Sequence, residues 1–101
     1  MPDQFKLIAI GKIGKPKGLR GQLHAIIAVE YAERLKKFDN FFLGIGGKQL
    51  PYSVSELDIS PSGGALILFE EIDSRTKAEQ LRNAEIFTQE ANLKKSKTNN
   101  S

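Results

Sequence analysis

The stretch from Gly11 to Ala25, GKIGKPKGLRGQLHA, decides how the rest of the chain is arranged. It joins two apolar, strand-like segments through a connection that holds Pro16, Gly18 and Gly21. Pro16 fixes its own φ near the value wanted at the second position of a β-turn, and the glycines take positive φ without a Cβ clash. These three turn-forming residues predict a reversal. The same stretch carries Lys12, Lys15, Lys17 and Arg20. Side chains on a tight turn project into water, so cations gathered there make a positive tip that the strands hold in position. Lys12, Lys15, Lys17 and Arg20, with His24 on the strand that follows, form the candidate partner-binding set.

Upstream of the turn, Phe5, Leu7 and Ala9 alternate with Lys6, Ile8 and Ile10, so a strand over Phe5 to Ile13 is largely apolar on both faces. Such a strand is buried on both sides or closes a barrel. Downstream, Leu23, Ala25, Ile27 and Val29 share one face and Gln22, His24, Ile26 and Ala28 the other, which predicts the second strand of a hairpin. Tyr31 to Phe38 suits a short helical turn, with Leu35 and Phe38 spaced for one face. Phe41 to Ile45 reads as a strand that ends at Gly46-Gly47, a hairpin dipeptide. Leu50, Tyr52 and Val54 then alternate until Leu57 and Ile59 continue in the opposite phase, which predicts a bulge or bend near Glu56. Pro51 belongs at the start or on an edge of that strand.

The turn Pro61-Ser62-Gly63-Gly64 leads into an apolar strand, Ala65 to Phe69. A helix around residues 74–82 follows, with Asp73 or Ser74 to cap it, Thr76 with Glu79 as a second arrangement, and Ala78 and Leu81 as a narrow stripe. That stripe places the helix on the outside of the sheet. Asn83 is a left-handed terminator, and Ala84 to Thr88 supplies one more strand. Six short strands with regular turn signals and one short helix near the C-terminal end predict an all-β fold, a small antiparallel β-barrel. One domain is expected over residues 1–92, and a disordered, dispensable polar tail over residues 93–101.

The chain has 101 residues, a hydrophobic share of 40% and a charged share of 27%, the proportions of a globular domain. No apolar run approaches the roughly 20 residues of a membrane helix, and Asp3 followed by Lys6 is no secretory leader. With no cysteine, disulfides, thiolate catalysis and zinc-thiolate sites are excluded together. A cytoplasmic monomer without membrane contact, cofactor or metal is expected. The net charge of +3 permits an anionic partner.

Enzyme chemistry finds little support in the residues. His24 is the single histidine and lacks the neighbours of a triad or metal site, so it reads as a partly exposed strand residue. Glu70, Glu71 and Asp73 sit just before a helix, where its dipole favours negative charge. Gly44, Gly46 and Gly47 lack the Lys-Ser/Thr of a phosphate cradle and suit a hairpin turn. Arg34, Lys36 and Lys37 make a secondary basic cluster on the short helix. Phe41, Phe42 and Phe69 read as buried, which leaves a single strand of nucleic acid few aromatics to stack on.

Taken in order, GKIGKPKGLRGQLHA, then ERLKKF, then a Gly-turn hairpin and finally FEEIDSRTKAEQLRNAEIFTQE resemble the N-terminal domain of the RimM family of ribosome maturation and 16S rRNA processing factors. The pairing of the first motif with ID-x-R-x-x-AE-x-LR-x-AEI is the more specific signal. In that family the position of Lys17 is often His and that of Asn83 often Gly. RimM proteins usually continue through a linker into a second, PRC-type barrel, whereas this sequence stops in a polar tail. The resemblance implies a non-enzymatic factor that assists assembly of the head of the small (30S) subunit. Its implied partners are the immature small subunit, small-subunit ribosomal protein nineteen and 16S rRNA. The alternative is a general nucleic-acid-binding β-barrel without a ribosomal partner.

Overall fold

A computed structural model describes residues 6–94. The expected start of the first strand at Phe5 and most of the expected tail, residues 95–101, lie outside the described residues. Six strands are formed: β1 Leu7–Lys17, β2 Gln22–Ile27, β3 Asn40–Ile45, β4 Lys48–Ile59, β5 Gly64–Phe69 and β6 Glu85–Gln89. They close a barrel in the order β1-β2-β5-β4-β3-β6, with β6 returning to β1 and every pairing antiparallel. Closure leaves the barrel wall without a free edge along most of its circumference.

β1 runs farther than its composition suggests, and two bulges explain why. Against β6, Ala9 and Gly11 span the partners Phe87 and Ile86; against β2, Ile13 and Pro16 span Ala25 and Leu23. Each slip inserts one extra residue into β1, and each resets which face the following side chain takes. The result is an inward set of Ile10, Ile13 and Pro16, spaced by three instead of two, all buried. The two-sided apolarity of this segment is thus a consequence of bulges: Ala9 is exposed and Lys12 points to water. Gly11 sits where the first slip brings the chains together, since a Cβ there would lie 2.3 Å from the Ile26 carbonyl oxygen.

The one slip expected from the sequence, near Glu56, is present between Val54 and Glu56 on β4, where the strand leaves β3 and joins β5. Residues Lys48 to Ser53 pair with β3 alone among the described strands, so exposed Pro51 occupies an edge, where its missing N–H costs nothing.

Three short helices accompany the barrel among the described residues: α1 Val29–Leu35, α2 Arg75–Glu79 and α3 Glu90–Lys94. α1 begins earlier than Tyr31, so Val29 leaves the inward row of β2 and stands 60% exposed. The expected late helix over 74–82 is shorter, with Ser74 as its cap accepting from the Lys77 amide at 3.3 Å and Asn83 ending the turn at φ 70°. It does not merely lie on the surface. Ala78 on the helix is 0% exposed and Leu81, in the turn that follows it, 2%, and both belong to the core.

α3 was not anticipated. It places Leu93 in the core at 7% exposure, and the Arg34 guanidinium donates to the Leu93 carbonyl at 2.5 Å. The boundary expected at Leu93 therefore falls inside an ordered element, because that leucine has an apolar site to fill. The remaining core is built from Leu23, Ile27, Phe41, Leu43, Ile67, Phe69 and Ile86, all within 1% of complete burial. Replacing Leu81 by Ala should lower unfolding stability by about 2–5 kcal/mol in urea titration, as a core leucine does. A surface helix would lose only about 0.5 kcal/mol.

Candidate nucleic-acid interface

Because β1 continues to Lys17, the reversal into β2 is made by Gly18 to Gly21 alone. Gly18 and Gly21 take φ of 71° and 102°, as turn-forming residues should. Pro16 does not serve the turn. It is a buried strand residue paired with Leu23, and its ring fills the inward position that the second bulge creates. Without that extra residue the alternation would send Lys15 inward; with it, Lys15 and Lys17 both face water. The basic display thus rests on strand geometry more than on the loop.

The tip is braced from one side. A Cβ on Gly21 would meet the Ile72 methyl at 3.0 Å and the carbonyls of Ile72 and Ser74 at 3.2 Å, so the β5–α2 connection packs directly on it. Arg75 donates from Nη1 to the Gly18 carbonyl at 3.4 Å. Leu19, between the two glycines, is 81% exposed. It was not singled out in the sequence, although a large apolar residue inside a Gly-x-x-Gly turn has no neighbour to cover it.

The candidate cations separate into two kinds. Arg20 donates from Nη2 to Glu56 Oε2 at 2.8 Å, and Gln22 adds a contact to Glu56 Oε1 at 3.4 Å. Its charge is therefore matched by a carboxylate 36 residues away in sequence, which no local pattern discloses. Among the described residues no carboxylate forms an ion pair with Lys12, Lys15 or Lys17, and all three are exposed. His24 is exposed on the outer face of β2, next to Gly14 and across from Leu66, and shares a groove with Lys12, Ile26 and Asn83.

The secondary cluster does not extend this surface. Arg34 ties α1 to α3, Lys36 pairs with Glu33 at 3.2 Å, and Lys37 lines a depression with Phe38, Asp39, Asn40 and Gln89. α1 follows the far end of β2, six residues or roughly 20 Å from the hairpin tip. The acidic residues before α2 also have structural work: Glu71 accepts from the Ser53 amide at 3.0 and 3.1 Å, and Asp73 pairs with Lys77 at 3.2 Å. Among the described residues no group of His, Asp and Glu side chains could hold a metal ion, and no helix is long and apolar enough to cross a membrane.

These features define a class, a small closed antiparallel β-barrel that presents a braced cationic hairpin. The chain belongs to the RimM family: a model of the RimM N-terminal domain matches residues 8–93. Curated ribosome maturation factors RimM are similar to it. That of Oleidesulfovibrio alaskensis is 38% identical over 90 residues, covering 87% of this chain and 49% of its own. That of Chlorobium phaeovibrioides is 31% identical over 87 residues, covering 85% and 52%. The chain thus spans about half the length of these relatives.

Solved structures share the fold. A Pseudomonas aeruginosa RimM, described as a 16S ribosomal RNA processing protein, superposes with a TM-score of 0.76 at 19% identity, over 88% of this chain and 54% of that one. The N-terminal domain of Thermus thermophilus RimM in solution gives 0.69 at 19% identity, over 88% and 95%. That isolated N-terminal domain is covered almost completely, in line with the RimM N-terminal domain model that matches residues 8–93.

The two turn glycines should differ in their tolerance of a side chain. Gly18→Ala meets nothing within 4 Å and loses only the roughly 1–2 kcal/mol of a left-handed alanine. Gly21→Ala adds overlap with two backbone carbonyls and should be the more destabilising of the pair in chemical denaturation.

Proposed function

We propose that this chain is a non-enzymatic ribosome maturation domain of the cytoplasm that binds the immature small subunit through its β1–β2 hairpin. Lys15 and Lys17 meet phosphates of 16S rRNA, with Lys12 and His24 farther down the same face. The observation that carries this reading is the geometry of Lys15 and Lys17: exposed, without an ion pair among the described residues, and mounted on a hairpin whose turn is packed against Ile72 and Ser74. A stiff cationic site loses little entropy on binding, and it gains from the counterions that leave the phosphates. Membership of a family whose curated relatives are named ribosome maturation factors supports the ribosomal target. Assistance to head assembly and to 16S rRNA processing, beside small-subunit ribosomal protein nineteen, is the specific role that follows.

Arg20 takes a different part from the lysines. Its guanidinium is shared with Glu56 before any partner arrives, so it orients the tip more than it attracts phosphate.

A general nucleic-acid-binding barrel is the second reading, and one observation bears on it. Phe41 and Phe69 are buried, but Phe42 is only half-buried and pairs with Phe87 on the outer face of β3 and β6. Phe87 faces Ala9 of β1, six residues or roughly 20 Å along that strand from Lys15, whereas stacking platforms for single strands interleave aromatics with cations.

The test is binding to purified immature small subunits across a range of salt concentrations. Lys15→Ala and Lys17→Ala should each lower the slope of log affinity against log salt by about one unit. Arg20→Ala should change it less, since Glu56 already neutralises that charge. Equal affinity for subunits and for arbitrary single-stranded RNA would favour the second reading, and unchanged slopes would remove the lysines from the interface.

A further inference from the structure

Arg75, the first residue of α2, stands apart from the basic clusters of the sequence, yet the fold carries it to the hairpin tip. Its Nη1 is 3.4 Å from the Gly18 carbonyl oxygen, so a guanidinium from 57 residues away in sequence reaches the residue next to Lys17. The tip therefore has cations on two walls, Lys15 and Lys17 on β1 and Arg75 on α2, with the Gly18 carbonyl between them.

The charge of Arg75 is not matched as that of Arg20 is. Arg20 holds the Glu56 carboxylate at 2.8 Å. Arg75 has only Glu79, with its Nε 3.7 Å from Oε2, and the other oxygen of the same carboxylate is 3.6 Å from Arg82 Nη1. One negative charge is thus divided between two guanidiniums at long range, which leaves a net positive charge. The nearby acids are turned elsewhere: Asp73 pairs with Lys77 at 3.2 Å, and the Glu71 carboxylate accepts from the Ser53 amide.

The guanidinium is also oriented. Nη1 is anchored on the Gly18 carbonyl, Nη2 makes no hydrogen bond among the described residues, and the side chain is half-exposed. A planar fork held at one edge and open at the other can take phosphate oxygens in a fixed direction, which a lysine ammonium on a flexible stem cannot do. Cations on both sides of Gly18 favour a polyanion whose backbone crosses the turn over one that follows β1.

We propose that Arg75 is a phosphate-binding residue of the hairpin site, so that the bound RNA backbone passes over Gly18 from Lys17 to Arg75. This rests on the rRNA reading of the hairpin and gives that site a second wall and a direction. The competing role for Arg75 is a brace of the turn with no contact to the partner.

Binding to purified immature small subunits across a range of salt concentrations separates the two roles, because a brace changes affinity without changing the number of counterions released. Arg75→Gln should lower the slope of log affinity against log salt by about one unit and weaken binding about fivefold at 0.1 M salt. The fold should persist, since the exposed contacts it removes are worth little. Arg75→Lys should keep the slope, and Glu79→Gln, which frees the guanidinium, should tighten binding. Lys37→Gln, at the far end of the barrel, is the control for loss of one charge and should leave the slope unchanged. An unchanged slope in Arg75→Gln, a slope lost equally in Arg75→Lys, or weaker binding by Glu79→Gln would each overturn the assignment. If Lys15→Ala and Lys17→Ala still lower the slope in that case, the hairpin reading stands and only the second wall falls. If they do not, both fall.

Discussion

The structure depends on a register constraint in one strand. β1 must pair with β6 on one side and β2 on the other while following the curve of a small barrel, and two single-residue bulges let it do so. They convert the two-residue period of a strand into an inward series three apart, Ile10, Ile13 and Pro16. The extra residues also position the chemistry. Between Ile13 and Pro16 the bulge turns Lys15 outward, and the strand then delivers Lys17 in the same sense. Removing either insertion would exchange the faces of everything beyond it, because side-chain direction in a strand alternates strictly.

The second level of organisation is bracing. A two-stranded hairpin extending from a barrel is marginal alone, but here Gly21 accepts the β5–α2 connection at close range and Arg75 reaches the Gly18 carbonyl. α2 and the turn after it add Ala78 and Leu81 to the core, and the Ile13 amide and carbonyl are taken up by Ala84 and Asn83 at 2.8 and 3.0 Å. The segment after β5 thus holds the same stretch of β1 from which the lysines project. Arg20 and Glu56 add an exposed ion pair, worth little in stability, that fixes where the guanidinium sits.

Much of this was legible in the sequence, for identifiable reasons. The slip near Glu56 appeared as a change in apolar phase, Asn83 as a residue tolerant of positive φ, and the barrel as six strands punctuated by turn residues. Pro16 misled because proline suits both a turn and a bulge, and only pairing distinguishes them. Val29 continued the alternation of β2 on paper, yet α1 starts there and turns it outward. The candidate lysines were found by their clustering. Their difference from Arg20 could not be, since Glu56 approaches only when β4 folds across the sheet. Leu93 looked like the start of a polar tail because one leucine among polar neighbours forms no period; tertiary packing gives it a place.

The central claim is that the β1–β2 tip lies against rRNA in the small subunit, and tethered hydroxyl-radical cleavage measures that most directly. An iron chelate attached at Leu19→Cys, the most exposed apolar position of the tip, is compared with one at Lys48→Cys beside the Gly46-Gly47 turn of the β3–β4 hairpin. The account predicts localised cuts in 16S rRNA from position 19 and few or none from position 48. Cuts from position 48 with none from position 19, in subunits that bind both proteins equally, would contradict it.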